Sequence, residues 1–428
     1  MAPTNNIVVR EKGEKLILFD LVSKSKVVLP NIFMNIKGFK DIEKTLIIDS
    51  YFNEILQSNG ININRSYCWE KPNKELNGLV KSCRLEITDI CNMKCKYCYN
   101  DSRIDKKNTI PTDTLIETIN EMASLNISTI IISGGEPTMH PDIIKLLQHA
   151  IDVGIPNVCL PTNGLFLKGA FVKALIKLPI NITVSLDGLN SEKHEANRLK
   201  NSFKIVFNNL MNIINTSKRI CKIGVNMTVT KQNYDQVNDM VEFAIKYMLD
   251  YLGICIPKKQ GRANSEWDEI QTTEDQQYEL YKIATINHNK FKGAIQVEGS
   301  HWNQGHNLLY HKDPKAFTCR IGESIKVIPN GDIFCCAQTE NPFFKIGNIY
   351  IDSIINSLNN KKFLNIKETL WKRLNNVNKC NKCEYHIVCQ CGCPYEALDH
   401  FKNINNVDSF CNVRKKIMDE IILNKRVQ

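Results

Sequence analysis

The sequence predicts an α/β fold: a parallel sheet built from βα units between residues 84 and 257, preceded by a small N-terminal module and followed by a cysteine-rich third. Three observations carry this prediction. Apolar strand-like runs alternate with amphipathic helical ones across the central stretch. Cys91-Asn-Met-Lys-Cys95-Lys-Tyr97-Cys98 follows the first of those runs directly, at the strand end where such architectures place their active sites. Cysteines then cluster again from Cys319 to Cys411.

Taken in order, Ile7–Val9, Lys15–Leu21 and Ser25–Leu29 read as short strands, with Glu11-Lys-Gly-Glu14 as a hairpin turn. Helical material follows from about Asp41 to Ser58. The pattern resembles a small winged-helix module, and an N-terminal extension packed on the main domain is the plainer alternative. The strands of the central region are Arg84–Asp89, Ser128–Ser133, Asn157–Pro161, Asn181–Asp187, Lys222–Thr230 and Tyr251–Ile256. Between them, Thr112–Leu125 sets Leu115, Ile116, Ile119, Met122 and Leu125 at helical spacing, and Pro141–Val153 does the same. Further helices are expected around Phe171–Lys177, Phe203–Ser217 and Asp235–Met248. An open barrel and a doubly wound sheet both satisfy this alternation. A polar helical stretch, Glu274–Lys290, leads into the cysteine-rich region. The expected domains are residues 1–80, 81–264, 265–316 and 317–428.

Composition limits the function classes. The chain has 428 residues, 43% hydrophobic and 23% charged, which suits a globular protein with a large core. The start Met-Ala-Pro-Thr-Asn-Asn-Ile lacks the features of a signal peptide, and no run reaches the roughly 18 apolar residues of a membrane span. A cytoplasmic location without a membrane partner is expected. The formal charge of +10 is spread along the chain with no Lys/Arg block, so no nucleic-acid partner is expected. Seventeen cysteines, an odd number, point to metal ligation rather than a disulfide scaffold. Cys159, Cys221 and Cys255 lie in apolar runs and read as buried small hydrophobes.

The CxxxCxxC triplet of Cys91, Cys95 and Cys98 can hold three irons of a [4Fe–4S] cube and leaves the fourth open. A structural zinc site would close its fourth position, and a ferredoxin-type cluster would supply a fourth cysteine. The second strand ends in Ser133-Gly134-Gly135-Glu136-Pro137. Paired glycines let a backbone approach a ligand closely, and Glu136 could accept from an ammonium group. A mere β-to-α turn is the plain alternative.

Together these features resemble the radical S-adenosylmethionine superfamily, from Cys83 to about Asn264. The resemblance implies a partial (β/α)6, TIM-like barrel. It implies that Cys91, Cys95 and Cys98 hold the cluster and that the open iron takes the amino and carboxylate groups of S-adenosylmethionine. Tyr97 takes the aromatic position near the adenine. Gly134, Gly135 and Glu136 correspond to the segment that meets the methionyl amine. Ser185-Leu-Asp187-Gly188 and Arg198 correspond to the serine and arginine that hold carboxylate and ribose. Relatives often continue Arg-Gly-x-x-Gly-Ser-Phe, whereas this chain reads Arg198-Leu-Lys-Asn-Ser-Phe203.

In the C-terminal third, Cys319 precedes Gly331-Asp-Ile-Phe-Cys335-Cys336, and Cys380-x2-Cys383-x5-Cys389-x3-Cys393 is followed by Cys411. Alone, such clips would suit zinc. Beside CxxxCxxC the spacing resembles the SPASM extension, which carries two auxiliary [4Fe–4S] clusters. That resemblance implies Cys380, Cys383, Cys389 and Cys411 as ligands of the outer cluster and Cys319, Cys336 and Cys393 as ligands of the inner one. Cys335 is a candidate for the inner cluster's fourth ligand, the alternative being an iron open to substrate. Cys391 replaces a usual glycine and receives no role.

The implied activity is reductive cleavage of S-adenosylmethionine to a 5′-deoxyadenosyl radical, with electrons from a reductase such as a flavodoxin or ferredoxin. The N-terminal pattern resembles the domain with which peptide maturases add a leader peptide to a sheet edge. The expected substrate is a ribosomally made precursor peptide, and thioether formation at cysteine, as in sactipeptides, is the leading reaction. Carbon–carbon crosslinking and epimerisation are the alternatives within that class. Sulfatase-maturing enzymes resemble the chain but carry an Asp where it has Ala337. An iron–sulfur or zinc DNA-binding sensor would have no need of the Gly-Gly-Glu-Pro and Ser185-Leu-Asp187 segments.

Overall fold

The computed structural model describes residues 7–12, 15–30, 56–58, 60–61, 80–288, 295–296 and 319–424. The chain divides into two compact units: residues 1–72, 300–319 and 370–428 form one, and residues 73–299 and 320–369 the other.

In the first unit β1 (Ile7–Lys12), β2 (Lys15–Asp20) and β3 (Lys26–Pro30) form an antiparallel meander. Val8, Leu18 and Phe19 are buried, and the helix Cys411–Asn424 packs on β1 and β2. Arg10 of β1 bonds Glu384, the Tyr385 hydroxyl and Asp419, tying the sheet to that helix and to the cysteine-rich segment. Of the helix expected over 41–58, Leu56–Ser58 are helical. The rest of it, Gly13 and Glu14 of the hairpin turn, and with them the winged-helix reading, lie outside the described residues.

The second unit is built on β4 (Ser82–Glu86), β5 (Thr129–Ser133), β6 (Asn157–Thr162), β7 (Asn181–Ser185), β8 (Lys222–Thr228) and β9 (Tyr251–Cys255). These six lie side by side in sequence order and all pair in parallel. A doubly wound sheet reverses its strand order at a switch point; this one does not, so the winding is of the barrel kind. The crossover helices α1 (Thr112–Ser124), α2 (Ile143–Asp152), α3 (Gly169–Leu175), α5 (Phe203–Ile214) and α6 (Val237–Lys246) fall where periodicity predicts them, and a short helix α4 (Ser191–Glu195), not expected from the sequence, precedes α5. On α1 the buried residues are Leu115, Thr118, Ile119 and Met122, spaced three and four apart.

The sheet is larger than the six strands expected. β10 (Ile295–Gln296) adds to β9 in parallel, and on the other edge β11 (Ser324–Val327) pairs with β4 in parallel. The antiparallel strands β12 (Asp332–Phe334) and β13 (Lys345–Asn348) complete a ten-stranded mixed sheet. The β11–β12 turn needs Gly331, whose φ is +86° and whose Cβ would sit 2.5 Å from the Tyr350 ring. Among the described residues no helix is long and apolar enough to cross a membrane, and none of the described cysteines is in a disulfide.

Candidate functional site

After β4 the chain leaves the sheet and runs through Cys91, Cys95 and Cys98 as an irregular loop, all three half-buried. Backbone bonds pin it at several points: Cys91 N donates to Arg103 O (3.2 Å), Lys96 N to Asn197 O (2.9 Å) and Arg262 N to Cys98 O (2.9 Å). The Gly134-Gly135 pair closes on the start of the same loop. Gly135 N donates to Thr88 O (2.6 Å) and Glu136 N to Ile90 O (2.9 Å). A Cβ at Gly134 would lie 2.4 Å from Thr88 O, and one at Gly135 2.3 Å from Ile90 O. The close approach these glycines permit is to the chain's own loop, a different cause from the ligand contact expected.

Asp187 and Arg198, close in sequence, converge with the distant Tyr97. Asp187 is fully buried just past β7 and accepts from Arg198 Nε (2.7 Å), the Tyr97 hydroxyl and Thr228 N (2.9 Å). The Arg198 guanidinium lies 5.4 Å from the Tyr97 ring centroid, and its Nη1 is 3.9 Å from Cys95 Sγ. Burial opposes its charge, but Asp187 outweighs this and raises its pKa. Asp187 N donates to Nδ1 of fully buried His194, so that ring is neutral; burial lowers its pKa to about 4. Ser185 ends β7 half-buried, opposite Asn226 of β8.

Glu136 is placed differently from its expected role. Its carboxylate is buried and accepts from Thr138 N and Oγ1, Thr162 Oγ1 (2.7 Å) and Asn163 N (2.7 Å). It caps the short 3-10 helix Pro137–Met139 and ties β5 to β6. Burial raises its pKa despite those bonds.

Sequence reading missed three groups. Asn163 lies 4.0 Å from Cys91 Sγ through Nδ2 and bonds Asn92 Oδ1 (2.7 Å). Arg262 donates to Cys95 O (2.7 Å), Ser102 O (2.9 Å) and Asp101 (2.9 Å), clamping the loop from behind. Lys326 of β11, fully buried, bridges Glu86 (3.3 Å) and Glu340 (2.9 Å), and Glu86 accepts from Tyr99 Oη (3.0 Å) and Asn100 Nδ2 (2.8 Å). Burial disfavours the lysine's charge, yet Glu86, Tyr99 and Glu340 outweigh it and raise its pKa. The available signal was a carboxylate and a lysine at the ends of apolar strand runs, which needs explanation in any buried sheet.

The loop's chemistry fits an iron–sulfur cube. Met93 N points at Cys91 Sγ (3.4 Å) and Ser102 N at Cys98 Sγ (3.4 Å), so N–H donors face two of the sulfurs and Arg198 the third. Burial raises the free thiols of Cys91 to about 12 and Cys95 to about 11. As thiolates they therefore need a strong neighbouring positive charge, such as iron supplies. Ser133 Oγ and Asn226 Oδ1, in the C-terminal halves of β5 and β8, are buried with no hydrogen-bond partner. Among the described residues no three His, Cys, Asp or Glu side chains converge as a single ion requires. A cube spreads its ligands over separate irons.

In the first unit, Cys380, Cys383, Cys389 and Cys411 line one pocket with Cys391 and Arg414. These include all four cysteines expected around the outer cluster. Arg414 bonds Asp408 (2.6 Å) and reaches Cys389 Sγ (3.5 Å), placing a buried cation beside a thiol that burial pushes up to about 11 against the opposing pull of that cation. Of the inner set, Cys319 and Cys393 belong to the first unit and Cys336 to the second. The Cys335 thiol is fully buried and turns toward Phe344 O (3.2 Å), a use as a buried donor within the β12–β13 region.

Residues 85–244 match the model of the radical SAM superfamily, and residues 319–384 that of an iron–sulfur cluster-binding domain, SPASM. The chain is 27% identical over 316 residues to the mycofactocin maturase MftC of Mycolicibacterium smegmatis, covering 72% of this chain and 76% of that protein. It is 22% identical to the PqqA peptide cyclase of Bradyrhizobium diazoefficiens, covering 80% and 88%. In fold it is similar to Streptococcus suis SuiB, solved bound to its precursor peptide SuiA, with a TM-score of 0.62, 17% identity, and 96% and 100% coverage.

Proposed function

For a chain that is a radical SAM enzyme with a SPASM domain, working with [4Fe–4S] clusters and S-adenosylmethionine, we propose that the substrate is a ribosomally made precursor peptide and the reaction a thioether crosslink at cysteine. The observation that carries the peptide class is the N-terminal three-stranded antiparallel sheet, whose edge suits an extended chain added as a further strand. The likeness to the PqqA peptide cyclase supports it. The domain scheme of residues 1–80, 81–264, 265–316 and 317–428, with a partial (β/α)6 barrel at its centre, belongs to this reading, as do a cytoplasmic setting and a flavodoxin or ferredoxin as reductant.

Cys91, Cys95 and Cys98 would hold the first cluster. When bound, cluster and S-adenosylmethionine supply a 5′-deoxyadenosyl radical able to take hydrogen from an unactivated C–H bond. The chain's own residues bind and orient. Asp187 fixes the Arg198 guanidinium and the Tyr97 hydroxyl in one arrangement, leaving the remaining guanidinium N–H groups for an anionic or hydroxyl group of the ligand. Ser185, with Ser133 and Asn226, would offer further polar contacts at the strand ends. Glu136, saturated by Thr138, Thr162 and Asn163, fastens the segment that follows Gly134 and Gly135, which close on the cysteine loop.

Anaerobically reconstituted enzyme, dithionite and the short peptide encoded nearest its gene provide the test. A product lighter by two hydrogens, with one cysteine thiol lost to alkylation, is the expected result. A mass loss with all thiols still alkylatable would replace the thioether with a carbon–carbon bond. An unchanged mass with a D-residue would mean epimerisation, and cleavage of S-adenosylmethionine without any peptide product would overturn the peptide reading.

A further inference from the structure

The outer cysteine pocket contains one thiol more than a four-iron cube needs. Cys391 lines it together with Cys380, Cys383, Cys389 and Cys411. Its side chain is 2% exposed and packs in one cluster with Cys380, Val377 and Val407, against which Cys411 also lies. Its Sγ stands 3.3 Å from His386 Nε2 and 3.7 Å from Leu374 O.

The backbone that presents it is unusual. Gln390, Cys391 and Gly392 have φ of +49°, +66° and +70°, three consecutive left-handed residues. L side chains rarely adopt that conformation and glycine adopts it freely. If the position served packing alone, glycine or a residue in ordinary conformation would serve better. The turn is instead enforced: buried Arg373 donates to Cys391 O (2.9 Å), Gly392 O (3.3 Å), Asn406 O (2.7 Å) and Ile404 O. Cys391 is thereby held in the pocket, packed in one cluster with Cys380.

We propose that Cys391 is an alternate ligand of the outer cluster, sharing a single iron position with Cys380. When one thiolate replaces the other on the iron, the proton of the incoming thiol passes to the outgoing one, so neither charge nor electron count changes. The inference rests on the assignment of the outer cluster and not on the substrate.

Full-length enzyme is reconstituted as wild type, Cys380→Ala, Cys391→Gly, the double variant and Cys383→Ala, with iron per chain and the reduced-cluster EPR signal as readouts. Cys391→Gly suits the left-handed backbone and so preserves the fold. Each variant at 380 or 391 alone is expected to keep wild-type iron, with a shifted EPR signal for Cys380→Ala. The double variant and Cys383→Ala are each expected to lose about four irons. Loss of about four irons from either single variant at 380 or 391 overturns the sharing. Where Cys380→Ala disturbs packing, as shown by gel filtration, the nearly isosteric Cys380→Ser replaces it under the same criterion. Full iron in the double variant also overturns the proposal. None of these readouts depends on peptide modification, so failure of the peptide reading leaves them unaffected.

Discussion

Asp187 carries more of the candidate site than any other single side chain, because three elements meet on its two oxygens. It joins the loop through Tyr97, the segment after β7 through Arg198, and β8 through Thr228 N. Breaking a buried ion pair by removing one charge costs about 3–5 kcal/mol. Asp187→Asn is therefore expected to cut 5′-deoxyadenosine formation at least about tenfold, since 1.4 kcal/mol already gives that factor, with a weaker effect for Tyr97→Phe. Wild-type cleavage in Asp187→Asn would remove this residue from the site. His194 gives a pH signature. Its folded pKa of about 4 lies below the ordinary 6.5, so between those values the unfolded chain binds a proton the folded chain does not. Its stabilising contribution is complete above about pH 6.5 and is lost as pH falls toward 4, by up to about 3 kcal/mol. Melting curves from pH 7.5 to 5 should show a steeper fall for wild type than for His194→Gln, and parallel curves would contradict it.

The elements are arranged to hold a loop that has no regular structure of its own. Gly134 and Gly135 close β5 on it, Arg262 ties it from the segment after β9, and β11 brings Lys326 against Glu86 below Tyr99. Adding a methyl group where a Cβ would lie 2.3 Å from a carbonyl oxygen forces backbone to move, and such overpacking costs about 1–3 kcal/mol. For Gly135→Ala the expected outcome is a reconstituted protein deficient in the iron of the first cluster, about four atoms per chain. Full iron content with full S-adenosylmethionine cleavage would show that the loop tolerates the shift. Element types were legible because strand and helix periods were clear, as on α1 and β7. The added strands β10 to β13 were not, because runs of two to four residues carry too little period to read.

At the scale of the molecule, both chain ends contribute to one compact unit. The helix Cys411–Asn424 begins with an expected outer-cluster ligand and packs on β1 and β2, and Arg10 reinforces that contact through Asp419. Iron held at Cys411 would thus anchor the first turn of the helix on which the N-terminal sheet rests, since metal binding adds to the stability of the fold that forms its site. Removing iron with a chelator should increase amide hydrogen exchange in residues 378–415 and also in β1 and β2. Faster exchange confined to the cysteine segment would show that the sheet is stable without it.

The sequence by itself determined the candidate chemistry-bearing residues and the alternation of central strands and helices, because ligand spacing and hydrophobic period are local properties. Cys91, Cys95 and Cys98 stood out by spacing, and the family resemblance built on them implied the two glycines after β5 and the outer four cysteines. Only the tertiary structure decided what each one touches. It winds the sheet in one direction, turns Glu136 inward as a fastener, brings Asp187, Arg198 and Tyr97 together, and buries Lys326 between two carboxylates. Tyr97 with Asp187 and Lys326 with Glu86 are long-range pairings set by strand register and by the need to satisfy buried charge, and no short window of sequence contains both partners.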